Sequence, residues 1–552
     1  MTLDRVLLER LVSGLKRTAV KSPSKWAETY RQMKDGPWRF KKYPWLKDMH
    51  DSTFEYNVGQ KSAQMGFTET LLNLTFYAID IRGRDCLYVL PNKNPDASDF
   101  SSGRFAPALA LSPHLQNIFT DTDNVGHKRA GSANLYIRGS QSRAGLKSLP
   151  ISYLLMDEVA EFVEENIPLA FARTDGQDER CIWLISTPTI EGHGIGVYWE
   201  QSDKRHFFFD CPSCNRSIEL KFPESLIIFG ESEHDPVVKG SHLICYECKA
   251  VLPHESKSEW LQKNEWVPTV PGRDMAGFTI SQLYSPTVTP EAIAKFYLKS
   301  LHNQATEVEF YNSKLGVPHT LKGARVSDED LDWCMNKGRK NRKSDDYTLF
   351  SKNPGLVTMG VDVGPRTIHY EICRWERTAQ WNGDIHSCFT PMVITHGKVS
   401  EFEELDKLMM QYSILSCVID ANPERRKAAE FAKRFYGRIK LCFFGSNIQG
   451  KTYVDSQIKY QNDPVIMVDR TTWIDQALGR FINRTISIPI DTDIEYRTQI
   501  MTPCKTYKKD GDGNPVAVYL TKEGADDHYA FSRVYCEIAL LFAAALGSNQ
   551  NI

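Results

Sequence analysis

Apolar residues in this chain come in short runs, each closed by polar or turn-forming residues. "DCLYVLP" (85–91), "ANLYIRG" (133–139), "SYLLMDE" (152–158) and "CIWLIST" (181–187) each predict a buried strand. Helix-compatible segments separate them, so 51–204 reads as an α/β unit with a largely parallel sheet. Upstream, 1–50 reads as a helical lead-in, amphipathic over 1–17 and closing in the aromatic, cationic "GPWRFKKYPWLKDMH". The pattern changes over 205–255, where cysteine pairs follow "FFFD". Residues 256–349 mix a helix, "TPEAIAKFYLKSLHNQ", with loops and end in the basic linker "NKGRKNRKSDD" (336–346). A second α/β pattern fills 350–552. Its strands are "LVTMGVDVG", "IHYEICRWE" and "ILSCVIDAN", followed by basic helices, a hairpin around "KKDGDGNP" and a last helix, "DDHYAFSRVYCEIALLFAAAL".

A length of 552 residues favours two to four domains, and 41% hydrophobic content supports sizeable cores. The net charge of −2 confines any nucleic-acid surface to a local patch. Thirteen cysteines, an odd number, without an export signal point to reduced thiols in a cytoplasm. No apolar run reads as long enough to span a bilayer, so no membrane is expected.

The stretch "NVGQKSAQMGFTETLL" (57–72) resembles a phosphate loop, GxxxxGK[ST], with its lysine displaced. Gly66 and Thr68 stand where the second glycine and the hydroxyl belong, Phe67 fills the lysine position, and Lys61 lies at the front of the loop. Ser62, Ala63, Gln64 and Met65 complete the candidate nucleotide-binding segment. Small residues let backbone N–H groups approach phosphate at a helix start, and Thr68 offers a hydroxyl to Mg²⁺. The alternative is a glycine-containing turn with no nucleotide. In "YLLMDEVAEF", Asp157 is placed to hold Mg²⁺ and Glu158 to orient water; an acidic helix start is the competing reading. Ser186 and Thr187, after the next strand, either sense a γ-phosphate or close a turn.

Two CxxC knuckles, Cys211–Cys214 and Cys245–Cys248, carry four thiolates suited to a closed structural Zn²⁺ site, or else are unliganded thiols. Asp362 lies inside an apolar strand, where a carboxylate is costly unless paired or metal-bound. Asp420 ends a later strand, and Asp526 and Asp527 open the last helix. Such carboxylates can converge on two Mg²⁺ or Mn²⁺ ions about 4 Å apart. Asp362, Asp420 and Asp527 form the expected trio, with Asp526 as rival for the third place. Strand hydrogen bonding, an Asx turn and helix capping are the alternatives. His528 is either helix surface or an assistant at the metals. The basic runs 336–343 and 423–440 either contact DNA phosphates or form solvated surface.

With "KSAQMGFTE" and this motif order, the chain resembles the large terminase subunit of tailed phages, in the phage lambda-type branch, over about 38–546. The resemblance implies that the loop lysine is relocated to Lys61. It implies a P-loop-type ATPase core (51–204), a zinc-ribbon-like insert (205–255), an ATPase-associated subdomain and linker (256–349), and a ribonuclease H-like endonuclease (350–552). ATP, Mg²⁺ or Mn²⁺ and structural Zn²⁺ are the implied cofactors. The implied work is packing viral double-stranded DNA into a procapsid and cutting concatemers in the host cytoplasm. The implied partners are a small terminase subunit, a portal protein and further copies of the chain in a ring. Within "GSQSRAGLKSLPIS" (139–152), it implies a cation reaching a neighbouring subunit's ATP: Lys147, or Arg143. Two rivals remain. A repair helicase-nuclease should carry more motifs after "STPT", where this chain instead enters the cysteine insert. A zinc-stabilised DNA-binding scaffold with both sites inactive is favoured by Phe67 and disfavoured by the intact acids.

Overall fold

A computed structural model describes residues 20–119, 123–147, 149–336, 355–380, 382–445, 448, 451–456, 463–510 and 512–548. The amphipathic segment 1–17 and residues 337–346 of the basic linker lie outside them. The chain forms two compact units, 1–319 and 320–552.

The first unit is built on one sheet. Its parallel core runs Arg205–Asp210, Met275–Ile280, Tyr56–Lys61, Cys181–Ser186, Tyr153–Asp157, Cys86–Leu90, Ala133–Gly139. Short antiparallel strands extend both edges. The central strands are buried almost throughout, as a parallel sheet covered on both faces requires. Ala133–Gly139 alternates buried and half-buried residues instead, because it joins the antiparallel edge. All four runs expected as strands are strands, and each of the central ones ends where the site lies. Helix Phe67–Tyr77 follows directly from the loop after Tyr56–Lys61.

Three placements differ from the sequence reading. Arg205–Asp210, assigned to the cysteine insert, pairs in the central sheet, as does Met275–Ile280 from the segment read as helix and loops. The insert proper is a small three-stranded sheet, Leu226–Ile227, His242–Ile244 and Val251–Leu252, beside the cysteine knuckles. Residues 320–336 pack with the second unit, well before position 350, because Val326, Leu331 and Cys334 enter a core with Trp473 and Phe481.

The second unit carries a seven-stranded mixed sheet: Phe389–Val399, Ile368–Arg377, Leu356–Val363, Ser416–Asp420, Ile439–Phe444, Val465–Val468, Val454–Asp455. The first three are antiparallel, parallel strands follow from Leu356–Val363 to Val465–Val468, and Val454–Asp455 is antiparallel at the edge. The expected hairpin is Cys504–Lys509 paired with Pro515–Leu520. Helix His528–Ser548 lies on Leu356–Val363. A Cβ on Gly360 would collide with Ser532 O and Cys536 N, so glycine is what allows this approach. The stretch His528–Leu546 is long and apolar enough to cross a membrane, contrary to the sequence reading. Most of it is buried in the unit, and its Arg533 and Glu537 are fully buried and ion-paired.

Candidate functional site

The loop between Lys61 and Phe67 folds back on itself. Gln64 (φ 62°) and Gly66 (φ 88°) both adopt the left-handed region. Met65 and Phe67 turn into the core. Trp45 Nε1 donates to Met65 O at 3.0 Å, fixing the loop from behind. Ser62 N donates to Ile280 O (3.2 Å) and Ala63 N to Ser313 O (2.8 Å), so these two amides serve the fold. The donors placed for phosphate are therefore those of Gln64, Met65 and Gly66 and of the helix's first turn, whose N–H groups have no intrahelical acceptor.

Strand Tyr153–Asp157 delivers Asp157 and Glu158 to the same place. Lys61 Nζ donates to Glu158 Oε1 at 2.6 Å. Thr68 donates to Asp157, and Tyr88 Oη donates to Asp157 Oδ2 at 3.0 Å. Ser186 Oγ donates to Glu158 Oε2 at 3.4 Å, and the Thr187 amide also serves Glu158. Six expected residues (Lys61, Thr68, Asp157, Glu158, Ser186 and Thr187) thus meet. Glu158 itself sits at φ 62°, a strained conformation for a non-glycine residue.

Burial pushes Asp157 above the usual carboxylate range, against the pull of Lys61. Burial acts the same way on Glu158, but the ammonium of Lys61 and the surrounding donors hold it below its ordinary value. Lys61 is raised: burial disfavours its charge, and Glu158 and Asp157 more than compensate. One cation faces two carboxylates, and Asp157 Oδ1 is buried with no hydrogen-bond partner among the described residues. An orphaned carboxylate oxygen beside a threonine hydroxyl fits a divalent cation.

A cavity of about 780 Å³ opens in front of Thr68, Asp157 and Glu158. Glu69, Arg31 and Arg104 also line it. None of Tyr88, Arg31, Glu69 and Arg104 was singled out from sequence; Tyr88 is indistinguishable from its apolar strand neighbours. Lys147 and Arg143 are exposed, flank the short turn Ala144–Leu146, and lie outside the lining of this cavity.

Cys211, Cys214, Cys245 and Cys248 bring their sulfur atoms within 4.8 Å of one another. Cys211 Sγ and Cys248 Sγ are 3.9 Å apart, close to the edge of about 3.8 Å for a tetrahedron with Zn–S bonds near 2.3 Å. The knuckles repeat one geometry. Asn215 N donates to Cys211 O and Lys249 N to Cys245 O, with Asn215 and Lys249 both at positive φ. A backbone donor at Ala250 holds the Cys248 thiol down at about 7, while burial raises Cys245 to about 12. This donor set fits Zn²⁺.

In the second unit, adjacent strands carry Asp362 and Asp420: Val361 pairs with Ile419 one residue before them. Asp527 precedes the helix lying on the same strand. Burial raises all three carboxyls; Asp362 further raises Asp420, to about 7, and Asp527 further raises Asp362. The trio therefore shares one field. Among the described residues, only the four cysteines bring three or more ligand atoms within 4.8 Å. Asp527 is half-buried and accepts from Thr521 Oγ1 at 2.9 Å, whereas Asp526 is exposed. His528 Nδ1 contacts Asp362 Oδ2 at 2.7 Å, and its ring stacks on that of His369 at 4.5 Å. The hydrogen bond to Asp362 raises the His528 pKa. Carboxyls raised by burial at the ends of adjacent strands fit divalent cations that would supply the missing positive charge. In the basic run 423–440, Arg425 is paired with Asp463 and Arg434 with Asp406.

A nucleotide-type site on one sheet and an acidic centre on a second, mixed sheet define an ATPase domain joined to a nuclease domain. The chain belongs to the gpA family of phage terminase large subunits. The family's ATPase domain matches residues 32–266 and its endonuclease domain residues 275–547. The terminase large subunit of Enterobacteria phage P21 is 22% identical over 291 residues, 46% of this chain and 45% of that protein. That of Escherichia phage lambda is 24% identical over 298 residues, 48% of this chain and 46% of that protein. The chain thus spans about half the length of the curated relatives it matches. The HK97 bacteriophage large terminase crystal structure aligns over 94% of this chain and 99% of its own, at 11% identity and a TM-score of 0.49.

Proposed function

We propose that this chain is the large subunit of a phage DNA-packaging terminase. It hydrolyses ATP to move viral double-stranded DNA into a procapsid, and it cuts concatemeric DNA with a metal-dependent nuclease. The observation that carries this reading is the pairing of two carboxylate centres on two sheets of one chain: Asp157–Glu158 beside Lys61, and Asp362–Asp420–Asp527.

At the first centre, the N–H groups from Gln64 to Thr68 bind the triphosphate. Thr68 and Asp157 hold Mg²⁺, which when bound neutralises phosphate charge. Lys61 is engaged by Glu158. A triphosphate in the cavity offers Lys61 a second anion, and the exchange frees Glu158 to orient the attacking water. Ser186 and Thr187, already on Glu158, report its position to the strand behind them. The exposed Lys147, or Arg143, reaches the ATP of a neighbouring copy in a ring. At the second centre, Asp362, Asp420 and Asp527 hold two Mg²⁺ or Mn²⁺ ions, which supply the charge for in-line attack on a phosphodiester. Asp526 stays at the rim. A structural Zn²⁺ on the four cysteines stabilises the insert. The chain works in the host cytoplasm with a small terminase subunit and a portal protein.

ATPase and plasmid-cutting assays on one sample, with and without Mg²⁺ and Mn²⁺, test this. Lys61→Ala and Glu158→Gln should abolish ATP turnover and leave cutting intact; Asp362→Ala should do the reverse. Any one of these three substitutions removing both activities from folded protein overturns the two-centre division.

A further inference from the structure

The cavity at the first centre is lined by two arginines that play different parts. Arg31 is buried and committed: Nε donates to Asn73 Oδ1 (3.1 Å), Nη1 to Gln32 O (3.0 Å) and Nη2 to Glu69 Oε2 (2.8 Å). Arg104 is exposed, and the one contact it makes among the described residues is a long one, Nη1 to Glu69 Oε1 at 3.4 Å. Glu69 is already neutralised by Arg31 at the shorter distance. Most of the Arg104 donor fork therefore faces the cavity without a protein acceptor.

The backbone beneath Arg104 is held firmly. It lies in a wide helical turn, Ser101–Phe105, between the α-helical segments Ser98–Phe100 and Ala106–Leu111. Phe100 stacks on Tyr88 at 4.2 Å, and Tyr88 is hydrogen-bonded to Asp157. Phe105 is fully buried against Phe76 of the helix that follows the phosphate loop. This platform thus presents a long cationic side chain to the cavity that Thr68 and Asp157 also line. Wide turns of this kind recur where a helix must aim a side chain at a site. The field of Arg104 also reaches Lys61.

We propose that Arg104 is the chain's own terminal-phosphate cation, leaving Glu69 to bind the γ-phosphate of a nucleoside triphosphate in the same subunit. This deepens the ATPase reading and rests on it. A guanidinium fork matches a phosphoryl group bidentately, which a lysine cannot do. With Lys147 and Arg143 outside the cavity lining, one subunit binds and senses its triphosphate with Lys61 and Arg104 before any neighbour contributes.

The test is calorimetric titration of the full chain with ATPγS and with ADP, in Mg²⁺, for wild type, Arg104→Ala and Arg104→Lys. Arg104→Ala should weaken ATPγS about tenfold or more while ADP stays within about twofold, and Arg104→Lys should recover part of the loss. A urea-unfolding midpoint of the first unit that stays at the wild-type value in Arg104→Ala reports intact folding. Equal weakening of both nucleotides, or of neither, overturns the assignment. Wild-type protein that binds neither nucleotide overturns the ATPase reading itself.

Discussion

The ring of Phe67 occupies the space a side chain at Gly59 would need: a Cβ added at Gly59 would sit 2.6 Å from Phe67 Cδ1. This contact explains the displaced lysine. The position that holds lysine in the standard loop points into the core here, where Phe67 is essentially unexposed, and the cation beside Glu158 is Lys61, from the preceding strand. Gly59→Ala should therefore destabilise the first unit by about 1–3 kcal/mol through overpacking, and Phe67→Ala by about 3–5 kcal/mol through the cavity it leaves. Phe67→Lys should restore the standard motif and lose activity, because it buries a charge. Urea unfolding followed by ATP turnover measures all three. A Phe67→Lys protein as stable and active as wild type would contradict the packing argument.

Much of this was legible because strands announce their ends. Asp157, Asp362 and Asp420 each lie at or near the polar end of an apolar run, and a parallel sheet gathers such ends at one edge. The strand Met275–Ile280 was not legible. "MAGFTI" is short and interrupted by glycine, and that glycine is required: a Cβ on Gly277 would collide with Ser202 Oγ. Arg205–Asp210 was misassigned because its phenylalanines adjoin the cysteines. Arg31, Glu69 and Arg104 were invisible for a different reason: their meaning arises from contacts between segments far apart in the chain, and nothing local marks them.

Asp420 makes the metal-free second unit sensitive to pH. Burial, aided by Asp362, raises its pKa from 3.8 to about 7. The folded state then binds a proton that the unfolded state has released, so stability falls as pH rises between about 4 and 7. The effect is of order 4 kcal/mol at most. In EDTA, Asp420→Asn should melt above wild type at pH 8, and the difference should shrink steadily as pH falls toward about 4. Adding Mg²⁺ or Mn²⁺ at pH 8 should raise the melting temperature of wild type and not of Asp420→Asn. Identical pH profiles for the two proteins would remove Asp420 from the acidic centre.

The four cysteines predict a metal-dependent insert. Its strands are two or three residues long, too short to hold a fold alone. Elemental analysis should find about one Zn²⁺ per chain. Cys211→Ser or Cys245→Ser should release it and expose residues between the knuckles to protease. Protein with four free thiols, no zinc and a protease-resistant insert would reject the site.

The helix that begins with His528 is anchored by a buried ion network, which gives the strongest stability prediction. Arg533 donates to Glu371 (2.6 Å) and Glu537 (2.8 Å), Arg480 also holds Glu537 (2.8 Å), and Tyr496 Oη donates to Glu371 at 2.6 Å. Burial opposes the charge on Glu537, yet Arg480, His386 and Arg533 draw its pKa down to about 2. A carboxylate held this low contributes stability that is present above about pH 4.5 and is lost as pH falls toward 2. Removing one partner leaves a buried charge uncompensated, so Arg533→Met or Glu371→Gln should each cost about 3–5 kcal/mol. The first turn of this helix carries His528 against Asp362, with Asp527 just before it. Plasmid cutting should therefore fail at lower urea in both variants, while ATP turnover keeps its wild-type midpoint. A shared shift of both midpoints would mean that the network supports more than the nuclease unit.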